Sequence, residues 1–332
     1  MPSPLATIVI NNYNYQQYVG QAIETALQQS YDNVEVLVVD DGSTDDSRKV
    51  IDQFDGITKI YKDNIGQLSC FAAGSDHAKG KYIFFLDADD YYAPETITRA
   101  VEALESDPDA VMVQMRLNLV DHVGNRIGYY PPAHDDFPTG NIVEEICREG
   151  KYTSTVTTGL GFRTDVIAQV VPEGLSHVTQ AADGWVINSV PFYGNLVKVD
   201  EPIAYYRRHG SNDSARSLHG KFHPPSLLRK IVYAQNEHNC LVRFAKKHGI
   251  EVDPELLFRR PGICASRLAA LRILGDQYPF KNDNKHDIAK RGRRALKRSQ
   301  TKLSRRIMWN IWFRMFPWLP QPVGISIFEV RA

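Results

Sequence analysis

Short apolar runs alternate with helically spaced apolar residues through the first hundred positions of the chain. Four of these runs are rich in β-branched and aromatic residues and predict buried strands at residues 5–10, 34–39, 57–61 and 81–86. The stretches between them predict helices at residues 18–29, 43–54 and 66–78. The second helix is expected to begin with a capping box of Ser43 and Asp46. This alternation is typical of an α/β fold, with a mostly parallel sheet and helices on both faces.

The pattern is less regular after these four strands. It predicts a helix at residues 94–106, a strand at 110–117 and a short helix at 184–190. Residues 118–138 are expected to form a loop or a hairpin. Helical spacing returns in two long segments, residues 227–248 and 254–274. The last third of the chain is therefore predicted to be helical.

Carboxylates follow two of the predicted strands directly. Asp40 and Asp41 end the second strand, and Asp87, Asp89 and Asp90 end the fourth. The carboxyl ends of parallel strands meet at one edge of the sheet, where open α/β folds bind ligands. Clustered carboxylates repel one another unless a cation lies among them, and an oxygen-rich set with few protein ligands suits Mg²⁺ or Mn²⁺. The alternative is that Asp-Ala-Asp-Asp forms a solvated turn that caps the next helix.

A nucleotide would fit this edge of the sheet. Asn11 and Tyr13 follow the first strand, and the Tyr13 ring can stack on a base. Asp40 or Asp41 can accept a hydrogen bond from a base or a ribose, and Asp87 can bind the ribose. The glycine-rich fingerprints of dinucleotide folds and P-loops do not occur after the first strand, so NAD is not expected. A metal ion is the more plausible partner for a diphosphate.

Composition limits the remaining classes. The chain has 332 residues and a formal net charge of zero, so its overall charge does not indicate nucleic-acid binding. Its four cysteines show neither close pairing nor metal-ligand spacing, which is typical of a reducing compartment. We expect a cytoplasmic protein without a signal peptide, since the first apolar run is short and lacks a preceding basic region. The sequence also contains no apolar run long enough to cross a bilayer.

Four segments together resemble glycosyltransferase family 2, which has the GT-A fold. They lie in the family's order and spacing at residues 7–14, 38–45, 64–66 and 80–90. The resemblance extends over roughly residues 5–215, and later segments at 157–163 and 180–185 continue it. It implies transfer of a sugar from a nucleotide-sugar to an acceptor hydroxyl.

The resemblance also implies roles for particular residues around the donor. Tyr13 would pack on the base, Asp41 would bond it, and Asp87 would lie near the ribose. Asp89 would bind a metal, Mn²⁺ or Mg²⁺. The segment containing Tyr206, Arg207, Arg208 and His209 resembles the part of the family that folds over the donor diphosphate. His209 would then be a second metal ligand, and Arg207 or Arg208 would bind phosphate, although a lone histidine is more often structural.

Asp183 occupies the position of the family's general base. A sugar hydroxyl is a poor nucleophile until a nearby carboxylate takes its proton. The alternative is that Asp183 only caps the helix that follows it. Inversion at the anomeric carbon is implied by the family.

The C-terminal region has a separate character. We predict a GT-A catalytic domain at residues 1–222 and a helical region at 223–332. From residue 285 to 314 there are eleven Lys and Arg against one acid, and the aromatic-rich segment 307–318 overlaps this block. Such a combination suits an interfacial helix on anionic lipid. Two alternatives remain: the aromatic residues pack on the core beside a solvated basic face, or the basic block binds nucleic acid, which is not expected.

These patterns predict an inverting, metal-dependent glycosyltransferase that uses a nucleotide-sugar, with UDP as the expected nucleotide and dTDP or GDP as alternatives. The acceptor would be a saccharide or a lipid-linked saccharide, in cell-surface polysaccharide or glycolipid assembly at the inner face of the membrane. Two other classes stay open. A nucleotidyltransferase would release pyrophosphate, and a non-catalytic scaffold of the same fold would bind nucleotide without turnover.

Overall fold

The chain forms two compact units in the computed structural model, which describes residues 3–171, 182–210, 224–298 and 302–318. One unit comprises Met1–Ile146 and Lys151–His209, and the other comprises Cys147–Gly150 and Gly210–Ala332. The predicted boundary between residues 222 and 223 lies outside the described residues.

The first unit is built on one nine-stranded sheet with the order β3-β2-β1-β4-β8-β6-β9-β5, and β7 pairs with β6. The strands are β1 Ala6–Asn12, β2 Val34–Asp41, β3 Thr58–Lys62, β4 Tyr82–Asp87, β5 Tyr91–Tyr92, β6 Ala110–Val120, β7 Arg126–Tyr130, β8 Leu160–Arg163 and β9 Asn195–Arg207. The first four predicted strands are confirmed, and they pair in parallel. The rest of the sheet is mixed, because β8 is antiparallel to both β4 and β6.

Among the described residues, the helices that connect or flank these strands belong to this unit, except that the last three residues of α5 belong to the other. They are α1 Val19–Leu27, α2 Ser47–Ile51, α3 Gln67–His77, α4 Thr96–Glu105, α5 Val143–Glu149, α6 Thr164–Val170 and α7 Ala182–Ser189. The predicted helices at 18–29, 66–78, 94–106 and 184–190 are confirmed, with shifts at their ends. Residues 118–138 contain the β6–β7 hairpin, so the hairpin alternative is correct.

The predicted capping box at Ser43 is wrong. The helix α2 begins only at Ser47, after Asp46, which forms no side-chain cap. Asp45 accepts a hydrogen bond from the Ser47 backbone N–H at 2.9 Å instead. Ser43 is not available for capping because its hydroxyl donates to Asp40.

Strand register places the polar residues that follow the apolar runs beside one another. Asn11 of β1 lies opposite Asp87 of β4, and Asn12 lies opposite Asp40 of β2. The apolar residues before them are buried. The Phe71 ring of α3 stacks on Phe85 of β4 with 3.8 Å between ring centroids. Burial of the apolar strands therefore fixes the edge at which the polar side chains meet.

The second unit has its own apolar core. Its helices are α8 Pro224–Lys247, α9 Pro261–Ile273, α10 Lys285–Arg298 and α11 Leu303–Met315. Side chains from all four are buried together, among them Ile231, Leu268, Ile288 and Phe313. The predicted helices at 227–248 and 254–274 are confirmed, although the second begins later, at Pro261. Within the described ranges, each helix is too short or too polar to cross a membrane.

Candidate active site

The two aspartates that end β2 are buried and engaged by protein donors. Asp40 accepts hydrogen bonds from the Asn12 amide at 2.8 Å and from Arg48 Nε at 2.9 Å. Asp41 accepts the backbone N–H groups of Ile65 and Gly66, at 3.1 and 2.8 Å. Asp41 also forms an ion pair with Lys62. Both carboxylates thus fix the loops around the strand end, and their direct contact with a nucleotide stays a prediction.

Asp87 lies where β4 ends, beside a side chain from α3. Gln67 Nε2 donates to Asp87 Oδ1 at 2.7 Å. Burial of the carboxyl group and the negative charges of Asp89 and Asp183 raise the pKa of Asp87 to about 8. Ionisation of this carboxyl group is therefore unfavourable unless a positive charge or a further hydrogen-bond donor binds beside it.

Asp89 and His209 form a close pair. Their side chains are largely buried, and His209 Nε2 lies 2.9 Å from Asp89 Oδ2. The imidazole also contacts two tyrosine rings, Tyr15 and Tyr18, at centroid distances of 5.7 and 5.0 Å. These packed rings fix the position of the imidazole beside the carboxylate, although the two residues are 120 positions apart in sequence.

Arg207 is buried beside Asp89. Its guanidinium packs against the rings of Tyr18 and Tyr91, and its Nε donates to the backbone carbonyl of Asp89 at 2.9 Å. Its backbone N–H donates to Asp90 Oδ1 at 2.8 Å. The structure thus places Arg207 as a residue that supports the Asp89 loop. Its contact with a phosphate stays a prediction.

Asp183 lies in the first turn of α7, where its Oδ1 accepts the Gly184 backbone N–H at 2.7 Å. Its charge contributes to the raised pKa of Asp87 and, after burial, to the raised pKa of Tyr130. Asp183 is therefore close enough to both residues to interact with them electrostatically. Its role as the base and its role as a helix-end residue are compatible with this position.

Asn11 and Tyr13 flank the same strand end. Asn11 is buried, and its amide is one of the hydrogen-bonding groups that oppose the rise in the pKa of Asp87. A buried amide at this edge of the sheet also offers polar atoms to a ligand. Tyr13 is exposed, as a side chain that stacks on an incoming base would be.

The Asp89–His209 pair fits a divalent cation that shares its coordination with a ligand. A carboxylate and an imidazole at this distance are acceptable donors for Mn²⁺, and the carboxylate suits Mg²⁺. In the part of the chain that the structure describes, no cluster of three or more His, Cys, Asp or Glu side chains could hold a metal by itself. An ion held here would take its other ligands from phosphate oxygens and water.

Several residues around this site were not found from the sequence. Gln67 contacts Asp87, while the Thr158 hydroxyl donates to Asp90 and lies 3.3 Å from the backbone nitrogen of Asp87. Tyr15 and Tyr18 enclose His209. Each contact joins distant parts of the chain, so apolar spacing and short motifs carry no signal for them.

The fold and this arrangement define a GT-A protein. The model of the family described as "Glycosyl transferase family 2" matches residues 7–166. An uncharacterised glycosyltransferase of Nostoc sp. is 32% identical over 266 residues, covering 76% of this chain and 81% of the relative. The chain belongs to glycosyltransferase family 2, and it is a glycosyltransferase.

Solved structures agree on the fold. Residues 1–349 of S. aureus TarS in complex with UDP-GlcNAc match with a TM-score of 0.54 and 14% identity, covering 94% of this chain and 91% of TarS. A mannosyltransferase from Pyrobaculum calidifontis in complex with GDP-Man and Mn²⁺ has a TM-score of 0.50 and 15% identity, with coverage of 98% and 87%. At sequence identities of 14% and 15%, this structural similarity shows that the fold is shared.

Proposed function

We propose that this protein transfers a sugar from a nucleotide-sugar to an acceptor hydroxyl, with inversion at the anomeric carbon. The observation that carries the proposal is one edge of the sheet, where the Asp89–His209 pair, Asp87 and the charge of Asp183 come together. In this proposal Asp89 and His209 hold the metal that binds the diphosphate, and the Asp183 carboxylate accepts the proton of the acceptor.

The donor would lie along the ends of β1 and β4. Tyr13 would stack on the base, and the buried amide of Asn11 would bind the nucleoside. Asp41 holds the backbone of Ile65 and Gly66, so it shapes the base pocket and can bond the base only at its remaining accepting positions. UDP is the proposed nucleotide, supported by the TarS complexes with UDP and UDP-GlcNAc. The GDP-Man complex keeps GDP as the second candidate.

Asp89 and His209 would hold Mn²⁺ or Mg²⁺, and the Mn²⁺ in the mannosyltransferase complex supports a divalent ion. Such an ion supplies positive charge that stabilises the leaving diphosphate. Arg207 and Asp90 keep the Asp89 loop in place through their hydrogen bonds. In this proposal Asp40 and Arg207 act as positioning residues behind the donor site.

Asp183 would take the proton of the acceptor hydroxyl. The acceptor oxygen then forms a bond to the anomeric carbon while the bond from that carbon to the diphosphate oxygen breaks. The nucleoside diphosphate leaves with the bonding electrons, and the proton remains on Asp183. A single displacement of this kind inverts the anomeric configuration.

The proposed acceptor is a saccharide or a lipid-linked saccharide used in cell-surface polysaccharide or glycolipid assembly. A cytoplasmic protein that touches the inner face of the membrane through residues 285–318 would meet such an acceptor. The basic and aromatic composition of that segment supports this part of the proposal.

The test is nucleoside-diphosphate release from a panel of nucleotide-sugars, with Mn²⁺ or Mg²⁺ and with EDTA. Slow donor hydrolysis by the wild-type protein should require metal. Asp89→Ala should lower it about a hundredfold or more, because the leaving group loses its stabilising charge. Asp183→Asn should retain nucleotide binding and lower transfer to an added acceptor by about a hundredfold or more.

The matched control is Asp76→Ala, which removes an exposed carboxylate from α3 and should leave release unchanged. Release of pyrophosphate would show a nucleotidyltransferase. Nucleotide binding without donor hydrolysis or transfer, in the wild-type and Asp183→Asn proteins alike, would favour the scaffold class.

A further inference from the structure

The helix α11 exposes a stripe of large apolar side chains, which we call the α11 stripe. Its members are exposed by 50 to 74% and comprise Leu303, Ile307, Met308, Ile311, Met315 and, just beyond the helix, Trp318. Leu303, Ile307 and Ile311 are spaced four residues apart, and Met308 and Met315 are seven apart. Residues with these spacings share one helix face. An exposed apolar surface of this kind usually marks an interaction site.

The stripe is distinct from the face with which the helix packs in its own unit. Trp312, Phe313 and Phe316 are buried in the helical core. Phe313 lies against Gly292 of α10, so closely that a Cβ atom at that glycine would clash with its ring. The aromatic-rich segment therefore divides into a packed face and an exposed face. The alternative in which the aromatic residues pack on the core describes the packed face. It does not account for the exposed face.

The helix α11 and its packing partner α10 carry many exposed cations. The exposed basic side chains of α10, of α11 and of the residue that precedes α11 include Lys290, Arg294, Lys297, Lys302, Arg305 and Arg314. None of these six forms a salt bridge with another described residue. Arg291 contrasts with them, because it pairs with Glu255 at 2.8 Å. Apolar side chains beside uncompensated positive charge are the pattern of a helix that lies in the interface of an anionic bilayer.

We infer that the α11 stripe inserts into the surface of a membrane that contains anionic phospholipids. Leu303, Ile307 and Ile311 would enter the acyl boundary, and Lys302 and Arg305 would remain at the phosphate groups. Nucleic acid fits the stripe less well, since all of its members except Trp318 lack the aromatic ring on which a base could stack. This inference deepens the membrane contact proposed above, but it does not depend on the transferase reaction.

Vesicle flotation of the full chain tests the inference. The vesicles contain phosphatidylcholine alone or phosphatidylcholine with phosphatidylglycerol. We expect the wild-type protein to float with the anionic vesicles and to remain unbound with the neutral ones. Ile307→Gln with Ile311→Gln should lower the partition coefficient about tenfold or more by removing buried carbon. Lys302→Gln with Arg305→Gln should lower it about tenfold, and added salt should have the same direction of effect.

The matched control is Val123→Gln with Ile127→Gln, which removes two equally exposed aliphatic side chains at the β6–β7 hairpin. This variant should float like the wild-type protein. Glutamine is a good helix former, and the replaced positions at α11 are exposed. Helicity and melting temperature should therefore be kept in the isoleucine variant and in the Lys302→Gln with Arg305→Gln variant.

Three outcomes would overturn the inference. The wild-type protein could fail to bind anionic vesicles, or the α11 variant could bind as well as the control. A dimer in solution that dissociates in the α11 variant, without vesicle binding, would show that the stripe joins two copies of the chain. Donor hydrolysis is measured on the same samples, so loss of vesicle binding with normal hydrolysis would leave the transferase proposal intact.

Discussion

Burial and nearby negative charges disfavour ionisation of the Asp87 carboxyl group. Its carboxyl group is enclosed, and it faces the charges of Asp89 and Asp183, while Gln67 gives it one neutral hydrogen bond. Burial and the charges of Asp89 and Asp87 also raise the pKa of Asp90. A site with these properties is suited to receive positive charge, but its carboxylates reduce stability while they are ionised.

The raised pKa of Asp87 predicts a stability that depends on pH. The unfolded carboxyl group loses its proton near pH 4 and the folded one near pH 8. Between these values the folded state holds a proton that the unfolded state has lost, so the free energy of unfolding falls as pH rises. Asp87→Asn should therefore stabilise the protein more at pH 8 than at pH 5, by at least about 1.4 kcal/mol, the equivalent of one pKa unit.

Urea unfolding of both proteins at the two pH values measures this difference. Metal and nucleotide are left out so that the carboxylates remain uncompensated. Asp90 contributes a fall of the same sign to both proteins, and its contribution is smaller in Asp87→Asn because the charge of Asp87 is one cause of the raised pKa of Asp90. An equal stability difference at pH 5 and pH 8 would show that Asp87 titrates at an ordinary pKa.

Sequence patterns predict the strand-end acids of this site better than the contacts that depend on loop packing. Acids at strand ends need only strand order and register to meet, so Asp40, Asp41 and Asp87 were predictable from the apolar runs. The family motifs contain both Asp89 and His209, but the contact between them joins residues that are 120 positions apart in sequence. The burial of Arg207 between Tyr18 and Tyr91 depends on loop packing, which the sequence pattern does not encode.

At the scale of elements, the short strand β8 connects the two parts of the sheet. It lies antiparallel between β4 and β6, and its Gly161 faces the buried ring of Phe84. A Cβ atom at Gly161 would clash with that ring and approach Val113 of β6. The four-residue strand was not predicted because it is too short to show a period, and its pairing is set by neighbours far away in sequence.

Gly161→Ala should destabilise the unit that contains the sheet by about 2 kcal/mol, since its new methyl group would overlap the buried Phe84 ring. The control is Gly128→Ala on β7, where a Cβ atom would meet only Leu119 at 4.0 Å. Urea unfolding followed by far-UV circular dichroism measures both. If Gly161→Ala were as stable as Gly128→Ala, the β4–β8 interface would be less closely packed than the structure indicates.

The difference at α2 shows how a local pattern can be overridden. Ser43 and Asp46 have the spacing of a capping box, but the Ser43 hydroxyl and backbone N–H both bond Asp40. The Asn12 amide and Arg48 bind the same carboxylate. The buried charge at the end of β2 therefore determines the conformation of the loop, and the helix begins one turn later than its sequence pattern predicts.

At the scale of the whole molecule, the chain contains two units with separate apolar cores. The core of the catalytic unit includes Ile8, Phe84 and Leu117, whereas the helical core includes Leu268, Ile288 and Phe313. A substitution inside one core should then act mainly on its own unit. The α/β alternation and the later helices were predictable from periodicity, but the grouping of residues 147–150 with the helical unit was not.

Gly292→Ala tests the independence of the two units. Its new methyl group would press on the buried Phe313 ring, so we expect the helical unit to lose about 1 kcal/mol or more despite the better helix propensity of alanine. Hydrogen exchange should quicken in peptides from α9, α10 and α11, while peptides from β1, β2 and β4 keep their protection. Gly262→Ala in α9 is the control, because a Cβ atom there has no neighbour within 4 Å. Faster exchange in the β1, β2 and β4 peptides of the Gly292→Ala protein would instead show that the two cores unfold as one cooperative unit.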